Sequence, residues 1–179
     1  VALLSAIVLA GGKFDMPRKP AQPGASQTVQ EGRPVAVFLR DPRLLVAMLC
    51  GVVTYMLMNF MMTSAPLAME LCGIAREHAN FGIELHVIAM YAPSFFTGRL
   101  ITRFGAHRIV LLGLVLTACA AFAGMAGLTV GHFWVALVLL GLGWNFGFLG
   151  ASAMVLTCHS PEEGPRVQSV NDFVVFGAT

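Results

Sequence analysis

The stretch Ile109–Leu128 carries no charged side chain, and Thr117 and Cys119 are its only polar ones. About 20 consecutive apolar residues are what an α-helix needs to cross the hydrocarbon of a bilayer. This stretch therefore restricts the chain to folds that use lipid as a solvent. Composition agrees: 57% of residues are hydrophobic, 11% are charged, and the mean hydropathy is +0.78. A soluble domain carries about 25% charged residues, and a water-soluble fold of this composition could not cover its surface. Cys50, Cys72, Cys119 and Cys158 are scattered without a C-x-x-C pair, so neither a disulfide framework nor a zinc site is indicated.

Other apolar stretches flank this one. Asp41-Pro42 is a good helix start, with an aspartate to cap free amides and a proline suited to the first turn. A span is expected over about 44–62, with Ala65-Pro66 just past its end and a loop from Pro66 to Asn80. The next span covers 81–97, with Pro93 late in it as a kink. Gly98–Arg108 then reads as a short basic turn, in which Gly98 and Gly105 let the backbone reverse. Span 109–128 follows, then a minimal turn at Val130-Gly131-His132, then span 133–155. Ser160-Pro161-Glu162-Glu163 resembles a capping box ahead of a last span over 168–179. Gly113, Thr117 and Ala121 make one small-residue face, and Gly143, Gly147 and Ala151 make another.

Val1–Ala10 reads as the tail of a hydrophobic helix. Residues 11–43 are rich in Pro, Gly and basic side chains and read as a flexible linker. Because Val1 and Thr179 both lie inside apolar runs, the chain is expected to be an internal piece of a longer polytopic protein. The fold class expected is an all-α, polytopic transmembrane helix bundle.

Charge gives the sides. Four crossings put the linker, the 98–108 turn and the 157–167 loop in one compartment, with ten of the eleven lysines and arginines. Arg76 alone lies opposite. The positive-inside rule makes the first compartment the cytoplasm.

Enzyme signatures are missing. No two of the five histidines stand at H-E-x-x-H spacing, and Met154 replaces the second glycine of G-x-S-x-G. No cofactor, metal or nucleic-acid partner is expected. Polar residues inside the spans are the better lead, because they are costly in hydrocarbon and usually face a cavity or a partner. They occur in the other spans, while 109–128 has almost none, which suggests that this helix is the peripheral one. Trp144 and Asn145 lie mid-membrane, where an indole N–H and an amide need partners. Either an interhelical hydrogen bond or a substrate contact meets that need, and the substrate contact is preferred. Asn59, Tyr55 and Tyr91 are candidates of the same type. Glu84 and His86 form a titratable pair near the outer end of their span, either capping the helix in wet headgroups or serving an outer gate. Asn171 and Asp172 enter the last span early, with Asp172 either a carboxylate at a helix start or a coupling group.

Gly98-x-Leu100-x-x-Arg103-x-Gly105-x-His107-Arg108 resembles the loop signature G-x-L-x-D-R-x-G-R-R/K of the major facilitator superfamily. Gly98, Leu100, Arg103 and Gly105 match; Thr102 stands where the acidic residue belongs, and Ala106 replaces a basic one. The segments Met90–Gly98 and Gly143–Phe146 are similar to a bacterial permease branch with riboflavin-transporter-like members. The resemblance implies that 11–43 is the central cytoplasmic linker and 44–179 a truncated C-terminal half, running from the end of helix 6 to the start of helix 11. It also implies a multi-pass protein of the inner membrane that moves a small-molecule substrate by alternating access, with protons a candidate coupling ion. The partners implied are the lipid bilayer and the N-terminal half of the same chain. The alternative is a polytopic membrane protein without transport activity, such as a receptor or intramembrane enzyme.

Overall fold

The computed structural model describes residues 40–160 and 162–178. The helix tail expected at 1–10 and the linker up to residue 39 lie outside the described residues. Among the described residues six helices follow one another: α1 Pro42–Leu71, α2 Arg76–Tyr91, α3 Ser94–Phe104, α4 Ala106–Ala126, α5 Val130–Thr157 and α6 Gly164–Gly177. Among the described residues there is no strand. Of these helices α1, α4 and α5 are long and apolar enough to cross a membrane.

The start of α1 is as the sequence indicates. Asp41 accepts a hydrogen bond from the Arg43 amide at 2.9 Å, and Pro42 opens the helix. The end differs from the expected one. Pro66 lies inside the helix, which continues to Leu71. Only one backbone donor is lost at a proline, and an apolar environment leaves the remaining helical bonds no competitor. The helix ends instead at Gly73, whose φ of 73° reverses the chain. The Ile74 amide reaches back to Met69 O at 3.0 Å and the Gly73 amide to Glu70 O at 3.0 Å. This is a Schellman ending, and Ile74 packs on the Met69–Ala79–Phe133 cluster beside it. The loop expected from Pro66 to Asn80 thus shrinks to Cys72–Ala75.

The kink at Pro93 is deep enough to divide the expected 81–97 span into α2 and α3. The turn expected at 98–108 is mostly helix: Gly98 lies in the middle of α3, and the reversal falls on Gly105 alone, at φ 86° and ψ 145°. Val130 already belongs to α5, so the turn before it is Gly127–Thr129. The Ser160 amide donates to Glu163 Oε2 at 3.2 Å, half of the expected capping box, but α6 starts only after Glu163.

α5 is the centre of the bundle, and half of its apolar span is buried. Its small residues are the reason. A methyl on Gly141 would lie 2.6 Å from His86 O of α2, one on Gly147 2.9 Å from Thr54 Oγ1 of α1, and one on Gly143 2.5 Å from Thr117 Oγ1 of α4. The two small-residue faces, Gly113/Thr117 and Gly143/Gly147, do meet. α4 buries that one face and exposes most of the rest, including Leu111, Val115 and Phe122.

Candidate substrate site

Trp144 and Phe148 are four apart on α5 and share a face. Their rings stack at 5.0 Å, only 10° from parallel. Tyr91, the last residue of α2, meets the Trp144 ring edge-on at 6.3 Å. On the other side Phe148 touches Tyr55 of α1 at 5.9 Å, and Tyr55 meets Phe176 of α6 at 5.2 Å and 90°. Five rings from four helices thus form one continuous strip. Its ends are open: Tyr91 is 58% exposed and Phe176 54%. Trp144 Nε1 is enclosed and has no hydrogen-bond partner among the described residues. Of these rings Tyr55, Tyr91 and Trp144 were expected. Phe148 and Phe176 were not, although the i,i+4 spacing from Trp144 to Phe148 is a sequence-level signal.

Asn145 has a different place from Trp144. One residue along a helix turns the side chain by about 100°, and Asn145 is fully buried, facing the α2–α3 joint. Its Nδ2 donates to Met90 O at 2.8 Å and to Ser94 Oγ at 2.7 Å. Its Oδ1 accepts from the Thr97 hydroxyl at 2.6 Å. That hydroxyl also lies 2.8 Å from Pro93 O, so its proton is shared. Met90 O accepts only, which fixes the amide's orientation. Every polar atom of the Asn145 side chain is engaged within the protein, so the interhelical bond, not the preferred substrate contact, is what its geometry provides. Asn59, one turn from Tyr55, lines a hollow of about 390 Å³ with Met56, Phe60, Thr63 and Ala178.

The structure does not bring Glu84 and His86 together. Two residues apart on a helix, they take nearly opposite faces. Glu84 is exposed, seven residues before Tyr91 and on the same face of α2. His86 is fully buried, with Nδ1 2.8 Å from Leu137 O of α5 and Nε2 without a partner among the described residues. Asp172 stands more than two turns inside α6, past the reach of the helix dipole, so it is not the helix-start carboxylate of one reading. Its Oδ1 accepts from Gln168 Nε2 at 2.7 Å and from Asn171 Nδ2 at 3.2 Å. Leu100, Arg103 and Arg108 flank the α3–α4 reversal, and the Arg103 guanidinium lies 5.4 Å from the Phe104 ring centre. Among the described residues no group of His, Cys, Asp or Glu could hold a metal ion.

Residues 1–178 match the model of the Major Facilitator Superfamily. The chain belongs to that superfamily. It is 55% identical over 146 residues to the riboflavin transporter RfnT of Brucella anthropi, an alignment covering 82% of this chain and 37% of that protein. It is 32% identical over 138 residues to the uncharacterized MFS-type transporter YddS of Bacillus subtilis, covering 74% of this chain and 31% of the relative. The chain spans about a third of the length of these curated relatives. No solved structure matches it. Membership in the superfamily, with three helices among the described residues long and apolar enough to cross a bilayer, sets the chain among multi-pass membrane proteins.

Proposed function

We propose that this segment belongs to a secondary transporter that carries a flat heteroaromatic solute, riboflavin or a close analogue, across the inner membrane by alternating access. The aromatic strip carries this reading. A tricyclic ring system offers two large π-faces and few apolar edges, and stacking on Trp or Tyr recognises it at little cost in side-chain entropy. Each well-formed aromatic contact contributes about 0.5–1.5 kcal/mol beyond the area it buries. Trp144 would be the principal wall, with Tyr91 and Tyr55 beside it. The name of the Brucella anthropi relative supports the same solute class.

α2 and α3 together make one broken crossing in this reading, and α6 begins another. The basic α3–α4 reversal and the 157–167 loop face the cytoplasm, by the excess of lysine and arginine on that side. Broken helices near the midplane are a recurring feature of sites in secondary transporters. Glu84 shares its face of α2 with Tyr91, two turns from the strip, and is the carboxylate suited to couple proton entry to solute binding. His86 and the Asp172–Asn171 pair, already engaged between or along helices, hold the bundle.

Uptake of labelled riboflavin into proteoliposomes holding the full-length protein tests this. Saturable uptake is expected, faster with an inward proton gradient, inhibited by flat tricyclic analogues and not by ribitol. Uptake no greater than in protein-free vesicles, or equal inhibition by ribitol, would refute it.

A further inference from the structure

We infer that Asn145 is a positioning residue: its three-way clasp on the α2–α3 joint fixes where Tyr91 stands against Trp144, and so sets the shape of the aromatic wall. The inference rests on the proposed solute site.

The need for a clasp comes from the backbone. Pro93 has no N–H to give to Ala89 O, and Ala92 and Pro93 belong to neither helix. A polar side chain beside such a break can take up backbone groups that the interrupted helix leaves without their helical partners, as Asn145 does at Met90 O. Asn145 bonds the joint on both sides of the proline: Met90 before it, Ser94 and Thr97 after it. Asn145 and Thr97 are fully buried, and Pro93 is buried between them. The clasp therefore holds both α2 and α3 to α5 at the break between them.

The two rings of the wall stand next to the anchor points. Tyr91 follows Met90, whose carbonyl accepts the hydrogen bond from Asn145 Nδ2. Trp144 precedes Asn145 itself. Tyr91 lies on the short stretch between the clasped residues with its ring 58% exposed, and the clasp adds a polar tie to the close α2–α5 packing at Gly141, where a methyl would lie 3.0 Å from the Met90 nitrogen. A looser joint would let Tyr91 swing from the edge-on position it holds 6.3 Å from Trp144. Weakened clasping should act on solute affinity and not on the transport cycle as such.

The test is a double-mutant cycle on the full-length protein in proteoliposomes, with riboflavin as the probe. Asn145→Leu removes the whole clasp. Ser94→Ala/Thr97→Val is the milder form and keeps the bond to Met90 O, so it serves where Asn145→Leu does not fold. The milder variant is expected to raise KM about tenfold with kcat within twofold, the signature of lost ground-state binding. In a Tyr91→Ala background the same pair of substitutions should change KM less than twofold, because the residue it acts through is gone. Full multiplication of the two effects, or an unchanged KM with Ser94→Ala/Thr97→Val while Tyr91→Ala raises it, would overturn the inference and leave the solute site standing. An unchanged KM with both Tyr91→Ala and Trp144→Leu would overturn the solute site, and the inference with it.

Discussion

Gly113 of α4 and Gly147 of α5 meet backbone to backbone: a methyl on Gly113 would come 2.3 Å from the Gly147 nitrogen and 2.7 Å from Gly143 O. Backbone atoms cannot rotate away as a side chain does, so any larger residue must push the two helices apart. Gly113→Val is expected to cost at least about 1–3 kcal/mol by overpacking. Thermal unfolding of the full-length protein in detergent should show a fall in Tm of several degrees. An unchanged Tm would mean the helices are not in contact.

Gly98 and Gly105 are alike in the family signature and unlike in the structure. Gly98 is helical, and a methyl there meets nothing within 4 Å; Gly105 holds φ 86°. Gly105→Ala is expected to cost about 1–3 kcal/mol, because that backbone region is nearly closed to other residues. Gly98→Ala should leave the stability of this segment unchanged or raise it by up to about 1 kcal/mol, through better helix propensity. Paired Tm measurements check the contrast.

Trp144→Phe should separate folding from solute binding. An enclosed N–H without a partner costs about 1–3 kcal/mol, and phenylalanine removes it while keeping a ring against Phe148. Tm is expected to hold or rise, while KM for the solute rises severalfold through loss of ring area.

Glu84 and His86 should respond in opposite ways. Glu84→Gln is expected to leave Tm unchanged and abolish the acceleration of uptake by an inward proton gradient. His86→Leu removes the bond to Leu137 O and should lower Tm, at about 0.5–1.5 kcal/mol for a neutral hydrogen bond. Its residual uptake should still respond to the gradient. Uptake assays with and without an imposed pH step distinguish the two.

Helices in lipid are legible because apolar length, capping and charge all act locally. Asp41-Pro42 marked the start of α1, and the small-residue stripes at Gly113 and Gly143 marked helix-contact faces, though not that they pack on each other. Helix ends were less legible. Pro66 reads as a stop in water, but α1 runs through it, and the actual stop is Gly73, a residue with no unusual neighbours in sequence. The same holds at Gly98, which looks like a turn residue until the helix around it is seen. For the site, residue type revealed which side chains need partners and not which partners they find. Trp144 and Asn145 are adjacent and both polar, yet one faces an aromatic strip and the other a helix joint. Glu84 and His86 parted for the same reason, since helical phase and the neighbours on each face decide burial.

Flavin emission is quenched when the ring stacks on an indole, which makes the proposed wall directly visible. Trp134 is a natural control. It lies on α5, about 15 Å along the axis from Trp144, with its indole N–H bonded to His78 O and its ring against Phe81. Riboflavin titrated into the purified full-length protein should show saturable quenching that Trp134→Leu leaves intact and Trp144→Leu diminishes, with the apparent Kd weakened at least tenfold. Quenching that survives Trp144→Leu with the same Kd would contradict the account.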